Sequence, residues 1–518
     1  MTVEVKNNPI IWADYPDIDV IRVDDTYYMV STTMHFMPGC VILRSYDLIN
    51  WEVATYVYEV LDDTPDQKLQ GEKHIYGKGM WAASLRYHKG RFYVCFVAND
   101  THKTYLFSTD DINGPWKRQI IEGFYHDCAL LFDDDERIYI IYGNTEIHIT
   151  ELNSDFSGPK PGGLNRIMVN ETQPHYLGYE GSHIYKINGK YYVFFIHMLK
   201  SKGRRTQACF VSDSLEGEFT GSEVFDDDMG YHNCGIAQGG IVDTPDGKWY
   251  SILFQDHGAV GRIPVIVPLH WVNDFPVFYK NAPEYIEVSS TRPGYEYKPL
   301  VGDDDFIYEP DQKGKVQLKD FWQWNHIPTD SLWSVTEKPG TYRIRSGKTC
   351  YNLLYAVNTL TQRSTGPACE AIVTLDGSGL KDGDYAGLGF LISTYGFIGL
   401  TKEAGQNYLV MSARATDDKS IMGNLVDSLP ATEYERVPVT EDKVTLKAYG
   451  NFVDGIDGID ECEFYYLDGQ TWKKLGITHN LVWKMDMFVG CRFGLFMYST
   501  KKIGGTAGFS KFRYNILK

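Results

Sequence analysis

Three acidic residues stand where an acidic side chain is costly unless it does chemistry. Asp17, Asp127 and Glu180 each lie two to four residues before an apolar run, in DYPDIDVIRV, HDCALLF and YEGSHIYK. Two carboxyl groups that face each other across a gap are the equipment of glycoside hydrolysis, one as base and one as acid. A third carboxylate nearby would raise the pKa of the acid and keep it protonated. Turn capping or surface exposure is the alternative for each residue taken alone.

The elements that would bring these residues together are repeated five times along the first 300 residues. Each repeat is an apolar strand, a polar turn and a Tyr-bearing strand: DVIRVDDTYYMVST, SLRYHKGRFYVCFV, ALLFDDDERIYIIYG, HIYKINGKYYVFFI and GIVDTPDGKWYSILF. The tyrosines that coincide in register are Tyr28, Tyr93, Tyr139, Tyr192 and Tyr250. Five such units predict a five-bladed β-propeller, whose radial symmetry would place the three carboxylates at one end of a single channel. A large two-sheet sandwich with similar hairpins is the alternative.

The pattern changes near residues 275–310, where Pro, Glu and Asp collect in NAPEYIEVSSTRPGYEYKPLVGDDD, a composition typical of a linker. Many short strands follow, such as CEAIVTLD, YAGLGFLIST and CRFGLFMYS, with turn signals at the spacing of a sandwich. The sequence therefore predicts an all-β protein. A five-bladed β-propeller is expected over residues 1–300, and a concanavalin-like β-sandwich is expected over residues 301–518.

The overall charge excludes several classes of partner. The 68 acidic residues outnumber the 50 basic ones, which gives a formal charge of −18 and disfavours nucleic acids and anionic membranes. No apolar stretch has the length of a membrane span, and the N-terminus has no signal core. We expect a cytoplasmic protein, or a periplasmic or secreted one if a signal peptide was removed. The nine scattered cysteines contain no CxxC pair and are expected to be reduced core residues. Nothing in the sequence indicates an oligomeric state.

The segments around the three carboxylates resemble glycoside hydrolase family 43. The resemblance is carried by NPIIWADYPDIDVIRVDDTYYMVSTTMHFMPG, HDCALLFDDD and YEGSHIYKINGKYYVFF, and AVNTLTQRSTGPACEAIVTLDGSGLKDGDYAGLGF resembles the sandwich of the xylosidase/arabinofuranosidase branch. It implies an inverting glycosidase with Asp17 as general base, Asp127 as the residue that modulates the pKa and orients groups, and Glu180 as general acid. The family usually has Pro-Asp-Pro-Ser at the base, whereas this chain has Pro-Asp-Ile-Asp, so Asp19 and Asp14 stay as alternatives for the base.

Five further residues are expected to contact the sugar or its neighbours. Trp81 and Phe36 are candidates for the wall that stacks on the sugar, with plain blade packing as the alternative. His183 either orients the acid or is a satisfied core histidine. Arg262, in GAVGRIPVIVPLHW, resembles the family arginine that reaches the substrate from the fifth blade, with a surface arginine as the alternative. Gln238, in GIAQGGIV, resembles a branch that has glutamine where many members have a histidine supporting a central cation.

The expected activity is exo-acting, inverting removal of terminal L-arabinofuranose from side chains of plant polysaccharides or from oligosaccharides. A β-xylosidase acting on xylo-oligosaccharides is the alternative within the class, and a non-catalytic sugar-binding propeller is the alternative outside it. The expected partners are therefore arabinose- or xylose-containing oligosaccharides and polysaccharides. No cofactor is required and no metal ligand is assigned, although the resemblance leaves room for a structural calcium ion in the channel. Ser510, where relatives often carry Asp, argues against a calcium ion in the sandwich.

Overall fold

The computed structural model describes residues 7–418, 420–453 and 460–517, and almost all regular structure in them is β-strand. The helical elements of this described part are three single 3₁₀ turns, Gly258–Val260, Asp330–Leu332 and Leu353–Tyr355. None of these helical turns is long and apolar enough to span a membrane. The fold is therefore all-β, as the sequence predicts.

The strands up to Phe278 form five antiparallel sheets that are the blades of a propeller. Blade one contains β1 (Asp19–Val23), β2 (Thr26–Ser31), β4 (Gly39–Ser45) and β5 (Glu52–Tyr58). The two-residue strand β3 (Phe36–Met37) lies between β2 and β4 in the chain but belongs to another sheet. Blade two contains β6 (Met80–His88), β7 (Arg91–Ala98), β8 (Lys103–Thr109) and β9 (Lys117–Ile121). Blade three contains β10 (Ala129–Phe132), β11 (Ile138–Asn144), β12 (Glu146–Leu152) and β13 (Asn165–Asn170). Blade four contains β14 (His175–Ile187), β15 (Lys190–Leu199), β16 (Thr206–Ser212) and β17 (Thr220–Phe225). Blade five contains β18 (Ile236–Ala237), β19 (Ile241–Asp243), β20 (Trp249–Asp256), β21 (Arg262–Val272) and β22 (Phe275–Phe278).

The inner hairpin of each blade is the unit that the sequence repeats. The five repeated tyrosines all lie on the second strand of that hairpin, each paired with a residue of the first strand. Two of the turns, Lys89–Gly90 and Asn188–Gly189, have positive φ at both residues. That conformation belongs to the two-residue turn that matches the twist of a hairpin, which explains why glycine closes it. The predicted repeat and its register are thus confirmed.

The segment before β1 closes the ring of blades. The amides of Ile10 and Tyr15 donate to the carbonyls of Pro264 and Arg262 on β21, at 3.0 and 3.1 Å. Ile18 forms a parallel bridge with Gly239 of blade five. The start of the chain is therefore hydrogen-bonded to the last blade, so the first and last inner strands lie side by side around one channel.

The strands from Gln323 onward form a sandwich of two antiparallel sheets. One has the order β3-β23-β26-β35-β28-β29-β30-β31 and the other β24-β25-β36-β27-β32-β33-β34. The strands are β23 (Gln323–Asn325), β24 (Trp333–Ser334), β25 (Tyr342–Arg345), β26 (Leu360–Arg363), β27 (Ala368–Asp376), β28 (Asp384–Leu391), β29 (Gly396–Glu403), β30 (Gln406–Ala413), β31 (Thr432–Val439), β32 (Lys443–Asn451), β33 (Asp460–Asp468), β34 (Thr471–Leu481), β35 (Arg492–Ser499) and β36 (Thr506–Leu517).

The two domains share a sheet, which the sequence did not predict. Strand β3 leaves blade one and pairs with β23, with Met37 opposite Trp324 and Phe36 opposite Asn325. One continuous apolar cluster also contains buried residues of blades one and two together with both sheets of the sandwich. The predicted boundary at residue 300 falls in the strand-free stretch between blade five and the sandwich. The strands on the two sides of this boundary are not independent, because β3 on the N-terminal side pairs with β23 on the C-terminal side.

Candidate active site

Asp17, Asp127 and Gln238 share an uncommon backbone conformation just before the inner strands of blades one, three and five. Their φ angles are 54°, 49° and 59°, in the left-handed region that residues other than glycine seldom adopt. Such a conformation costs on the order of 1–3 kcal/mol and clusters at functional sites, where the surrounding structure enforces it. The same device therefore places one polar side chain at the equivalent point of three blades.

Blades two and four use a strand irregularity instead. Glu180 lies within β14 between two register shifts relative to β15, and Trp81 lies beside a register shift of β6. Bulges of this kind re-aim a side chain and often occur next to active sites. Gly181 follows Glu180 with a φ of 63°, and a Cβ atom there would lie 2.6 Å from the side chain of Gln238. Glycine thus allows blades four and five to approach each other beside the predicted acid.

Asp17 is paired with Arg262. The Nη1 atom of Arg262 donates to Oδ1 of Asp17 at 2.8 Å, and both side chains are buried. The guanidinium lies 4.3 Å from the ring centre of Phe488 and 5.2 Å from that of Phe254. Its Nε and Nη2 atoms are buried without a hydrogen-bond partner among the described residues. Both donors are covered in this structure, so the expected contact between Arg262 and the substrate stays a prediction.

The other two candidates for the base have their oxygens occupied. Asp19 is fully buried and accepts hydrogen bonds from Arg86 at 2.6 Å, the amide of Leu85 at 2.8 Å and His183 at 3.1 Å. Burial would raise the pKa of Asp19, but Arg86 and His183 hold it below its ordinary value.

Asp14 accepts from the amides of Arg262 at 2.9 Å and Gly490 at 2.8 Å. Asp19 and Asp14 are structural anchors, which leaves Asp17 as the aspartate with a free oxygen, since its Oδ2 accepts no hydrogen bond from the described residues.

Glu180 and Asp127 lie on either side of His126. The Nε2 atom of His126 is 3.3 Å from Oε2 of Glu180 and 3.8 Å from Oδ1 of Asp127. Asn144 donates from Nδ2 to the same Oε2 atom of Glu180. The amide of Gly181 donates to Oδ2 of Asp127 at 3.1 Å. The structure thus brings Asp127 and Glu180 together, as the resemblance implies, around a histidine.

The protonation of this cluster departs from that of isolated side chains. Burial raises the pKa of Asp127 to about 7, His126 opposes the rise, and the charges of Glu180 and Asp17 add to it. The charge of Asp127 raises the pKa of His126 to about 9 against the effect of burial, and the hydrogen bond to Glu180 adds to the rise. The cluster therefore carries protons at neutral pH, which is what a site that must donate a proton requires.

The two residues predicted to stack on a sugar differ in their placement. Trp81 is half-buried, with its ring 6.1 Å from His126 and 5.4 Å from Phe488 between ring centres. Phe36 is fully buried. The guanidinium of Arg492 lies 3.5 Å from the centre of its ring. Trp81 borders the site, whereas the expectation for Phe36 is corrected: its position on β3 places it in the core between the two domains.

His183 does not orient the acid. Its Nδ1 atom bonds to Asp19, and the structure records no hydrogen bond between His183 and Glu180 in the described residues. It is the satisfied core histidine that the sequence left as the alternative. Gln238 is also buried, and its backbone N–H donates to Oε1 of Gln207 at 2.8 Å.

The calcium ion that the resemblance left open in the channel stays a prediction, because the charged cluster of the site does not have the ligand types of a calcium site. In the described part of the chain, the group with enough potential ligand atoms close together is His126, Asp127 and Glu180, whose donor atoms lie within 4.8 Å of one another. Calcium takes six to eight oxygen ligands, whereas this group offers one nitrogen and two carboxylates. Asn144 and Gly181 already donate hydrogen bonds to those carboxylates. We derive no step through a metal.

Four residues of the site were not predicted from the sequence. His126 and Asn144 contact Glu180, Phe488 covers Arg262, and Arg205 donates to Asp256.

Burial lowers the pKa of Arg205, but the charges of Asp256, Glu180 and Asp17 raise it above its ordinary value. Arg205 therefore interacts electrostatically with the carboxylates of the site. His126 could have been proposed from the sequence, because it directly precedes Asp127. Phe488 could not have been, since it belongs to the sandwich and reaches the channel only through tertiary packing.

A propeller that holds a buried arginine–aspartate pair and a second cluster of two carboxyl groups around a histidine has the parts expected of a glycoside hydrolase. The match to known families agrees: the description "Glycosyl hydrolases family 43" covers residues 6–276, and "Beta xylosidase C-terminal Concanavalin A-like domain" covers residues 314–515. The chain belongs to glycoside hydrolase family 43.

Similar proteins support the same family over nearly the whole chain. A "Beta-xylosidase" of Formosa agariphila is 26% identical and covers 98% of this chain and 90% of its own length. A solved "Bifunctional GH43-CE" protein of Bacteroides eggerthii is 40% identical with a TM-score of 0.88, and it covers 99% of this chain. This chain spans 64% of the length of that structure. A "Non-reducing end alpha-L-arabinofuranosidase" of Bacteroides ovatus is 25% identical and covers 65% of this chain and 64% of its own length.

Proposed function

We propose that the protein is an exo-acting, inverting glycoside hydrolase that releases one terminal pentose, with L-arabinofuranose on plant polysaccharide side chains or oligosaccharides as the leading substrate. The observation that carries the proposal is the division of the carboxylates into two environments. Asp17 pairs with Arg262, whereas Glu180 lies in the proton-rich cluster with His126 and Asp127. Pairs of titratable groups held in different environments mark the base and the acid of a hydrolase.

In this mechanism the two ends of the reaction are handled by different blades. Asp17 takes a proton from a water molecule as the oxygen of that water attacks the anomeric carbon. Glu180 gives its proton to the departing glycosidic oxygen as the bond to the anomeric carbon breaks. The water and the leaving group lie on opposite faces of the sugar, so the anomeric configuration inverts, which needs roughly 6.5–9.5 Å between the two carboxyl groups. Arg262 holds the base in place through the hydrogen bond from its Nη1 atom to Asp17.

The position of the sandwich supports the exo mode. Phe488 packs on Trp81 and on Arg262, with 5.4 Å between the ring centres and 4.3 Å from the guanidinium to its ring. An aromatic residue from a second domain at this position supports a mouth that is closed on one side. A closed side leaves room for a terminal sugar and blocks the passage of an uninterrupted polysaccharide chain.

A β-xylosidase is the second candidate, because relatives that match nearly the full chain are named so. The relative of Formosa agariphila is named a beta-xylosidase, and one of Humicola insolens, 26% identical over 99% of this chain, is named a xylosidase/arabinosidase. The two pentoses present similar hydroxyl groups to a small pocket.

One assay separates these candidates. The purified protein is given 4-nitrophenyl α-L-arabinofuranoside and 4-nitrophenyl β-D-xylopyranoside side by side, with Asp17→Asn as the inactive control. Turnover of the first with little of the second supports the arabinofuranosidase, and the reverse supports the xylosidase. Proton NMR in the first minutes should show the inverted anomer, and chromatography of oligosaccharide digests should show monosaccharide without a ladder. Binding of either sugar with no turnover would instead indicate a sugar-binding propeller.

A further inference from the structure

Two side chains converge on one oxygen of Glu180. His126 approaches Oε2 through Nε2 at 3.3 Å, and Asn144 donates to the same atom through Nδ2. The orientation of the Asn144 amide is set by Thr145, whose Oγ1 donates to Oδ1 of Asn144 at 3.0 Å. The Oε1 atom of Glu180 accepts no hydrogen bond from the described residues, and the side chain is 18% exposed. The two oxygens of the acid therefore have different surroundings.

His126 is held as a donor in this arrangement. The ring of Trp81 packs near it, and Asp127 lies 3.8 Å from the same Nε2 atom. The negative charge of Asp127 is the first reason that the pKa of His126 rises to about 9, so both ring nitrogens carry protons at neutral pH. A doubly protonated imidazole can only donate. Asn144 can likewise only donate through Nδ2.

We propose that His126 and Asn144 are positioning residues of the acid: by donating to Oε2 of Glu180 they confine its acidic proton to Oε1, the oxygen that faces the leaving group. A carboxyl oxygen that already accepts two hydrogen bonds has no room for a proton, so the proton is carried by the other oxygen. In the reaction, the O–H bond at Oε1 breaks and the proton goes to the glycosidic oxygen. The resulting carboxylate keeps its two donors, which stabilise the charge that develops there. This inference rests on the proposed function.

The test exploits the fact that only poor leaving groups need the acid. His126→Ala and Asn144→Ala should lower kcat on an unactivated disaccharide by about 10- to 100-fold. On the 2,4-dinitrophenyl glycoside of the same sugar, which departs without protonation, kcat should change by less than about threefold. His126→Gln, which keeps an N–H donor, should recover most of the loss. His148→Ala is the matched control, because His148 stacks on Tyr142 and makes no contact with Glu180.

A double-variant comparison separates positioning from a general structural role. When Glu180→Gln is already present, His126→Ala should cost nothing further on the disaccharide, because there is no acidic proton left to place. Asn144→Asp keeps the size of the side chain but loses the donor, so it serves if the alanine variant does not fold.

Equal losses on both substrates, or an undiminished loss in the Glu180→Gln background, would overturn the inference. A wild-type protein that hydrolyses neither glycoside would instead refute the proposed function itself.

Discussion

Replacing Asp127 by Asn should change how the stability of the protein depends on pH. Asp127 is buried, and its pKa is raised to about 7 from an ordinary value of 3.8. A carboxyl whose pKa is raised in the folded state binds its proton more tightly there than in the unfolded chain. The free energy of unfolding therefore falls as the pH rises from about 4 to about 7. The asparagine variant has no such proton to lose.

The size of the effect follows from the shift. About three pKa units at 1.36 kcal/mol each correspond to about 4 kcal/mol between the two ends of that window. His126 extends the fall, because its pKa of about 9 lies above the ordinary 6.5 and its stabilising contribution is lost as the pH rises through 9. Since Asp127 is the first cause of that rise, the variant should lose most of the second phase as well.

The measurement is urea denaturation of the wild type and Asp127→Asn at several pH values from 4 to 9. The other carboxylates of the chain are common to both proteins, so their contributions cancel in the difference between the two curves. Between pH 4 and pH 7, the free energy of unfolding of the variant should rise by about 4 kcal/mol relative to that of the wild type. Asp417→Asn, at an exposed position, is the control, and its difference from the wild type should stay flat. A difference for Asp127→Asn that changes by less than about 1 kcal/mol over this range would refute the reasoning.

Four further substitutions test the roles assigned to the site. Asp17→Asn should lower turnover of every substrate by about 10²- to 10⁴-fold, because an amide cannot take a proton from water; activity near the wild-type level would move the base elsewhere. Glu180→Gln should cripple natural glycosides far more than dinitrophenyl glycosides, and equal losses would argue that it is structural. Asp19→Asn should destabilise the fold by about 3–5 kcal/mol in urea, since Arg86 would lose its buried partner; an unaltered midpoint would contradict the anchor role. Phe488→Ala should raise KM by about tenfold, the equivalent of ~1.4 kcal/mol of lost aromatic packing beside the sugar site, whereas an unchanged KM would show that Phe488 does not support sugar binding.

The parts of the site that the sequence predicts are those that the repeat positions. Asp17 and Asp127 precede their inner strands by the same number of residues, and both adopt the left-handed conformation at that point. The symmetry of the blades therefore carries a local pattern into a shared location. Glu180 was placed by the same argument, although the structure has it inside a long bulged strand and not in a turn.

The parts that failed depend on contacts between distant segments. Phe36 stands before a Pro-Gly turn, where an aromatic side chain at a channel mouth is a reasonable expectation. Its strand is instead drawn into the sandwich sheet by pairing with Asn325, and no local pattern records that pairing. Phe488 was missed for the same reason, since it reaches Arg262 from the other domain. The sequence left two roles open for His183, and the structure favours the core histidine, because a bulge separates it from Glu180 and it bonds to Asp19.

The strand shared between the domains has a consequence for how the chain acquires its structure during synthesis. The ribosome delivers β3 early, but its partner β23 appears only after all five blades have been made. Until then the edge formed by Phe36 and Met37 is unpaired, and most members of the apolar cluster that joins the domains have not yet been made. Long-range pairings of this kind are slow to form, and until they form they leave aggregation-prone strand edges exposed. A nascent propeller is thus incomplete when its last blade emerges. A fragment that ends at residue 300 would have an unpaired β3 and an exposed apolar surface, and would not be an independent catalytic domain.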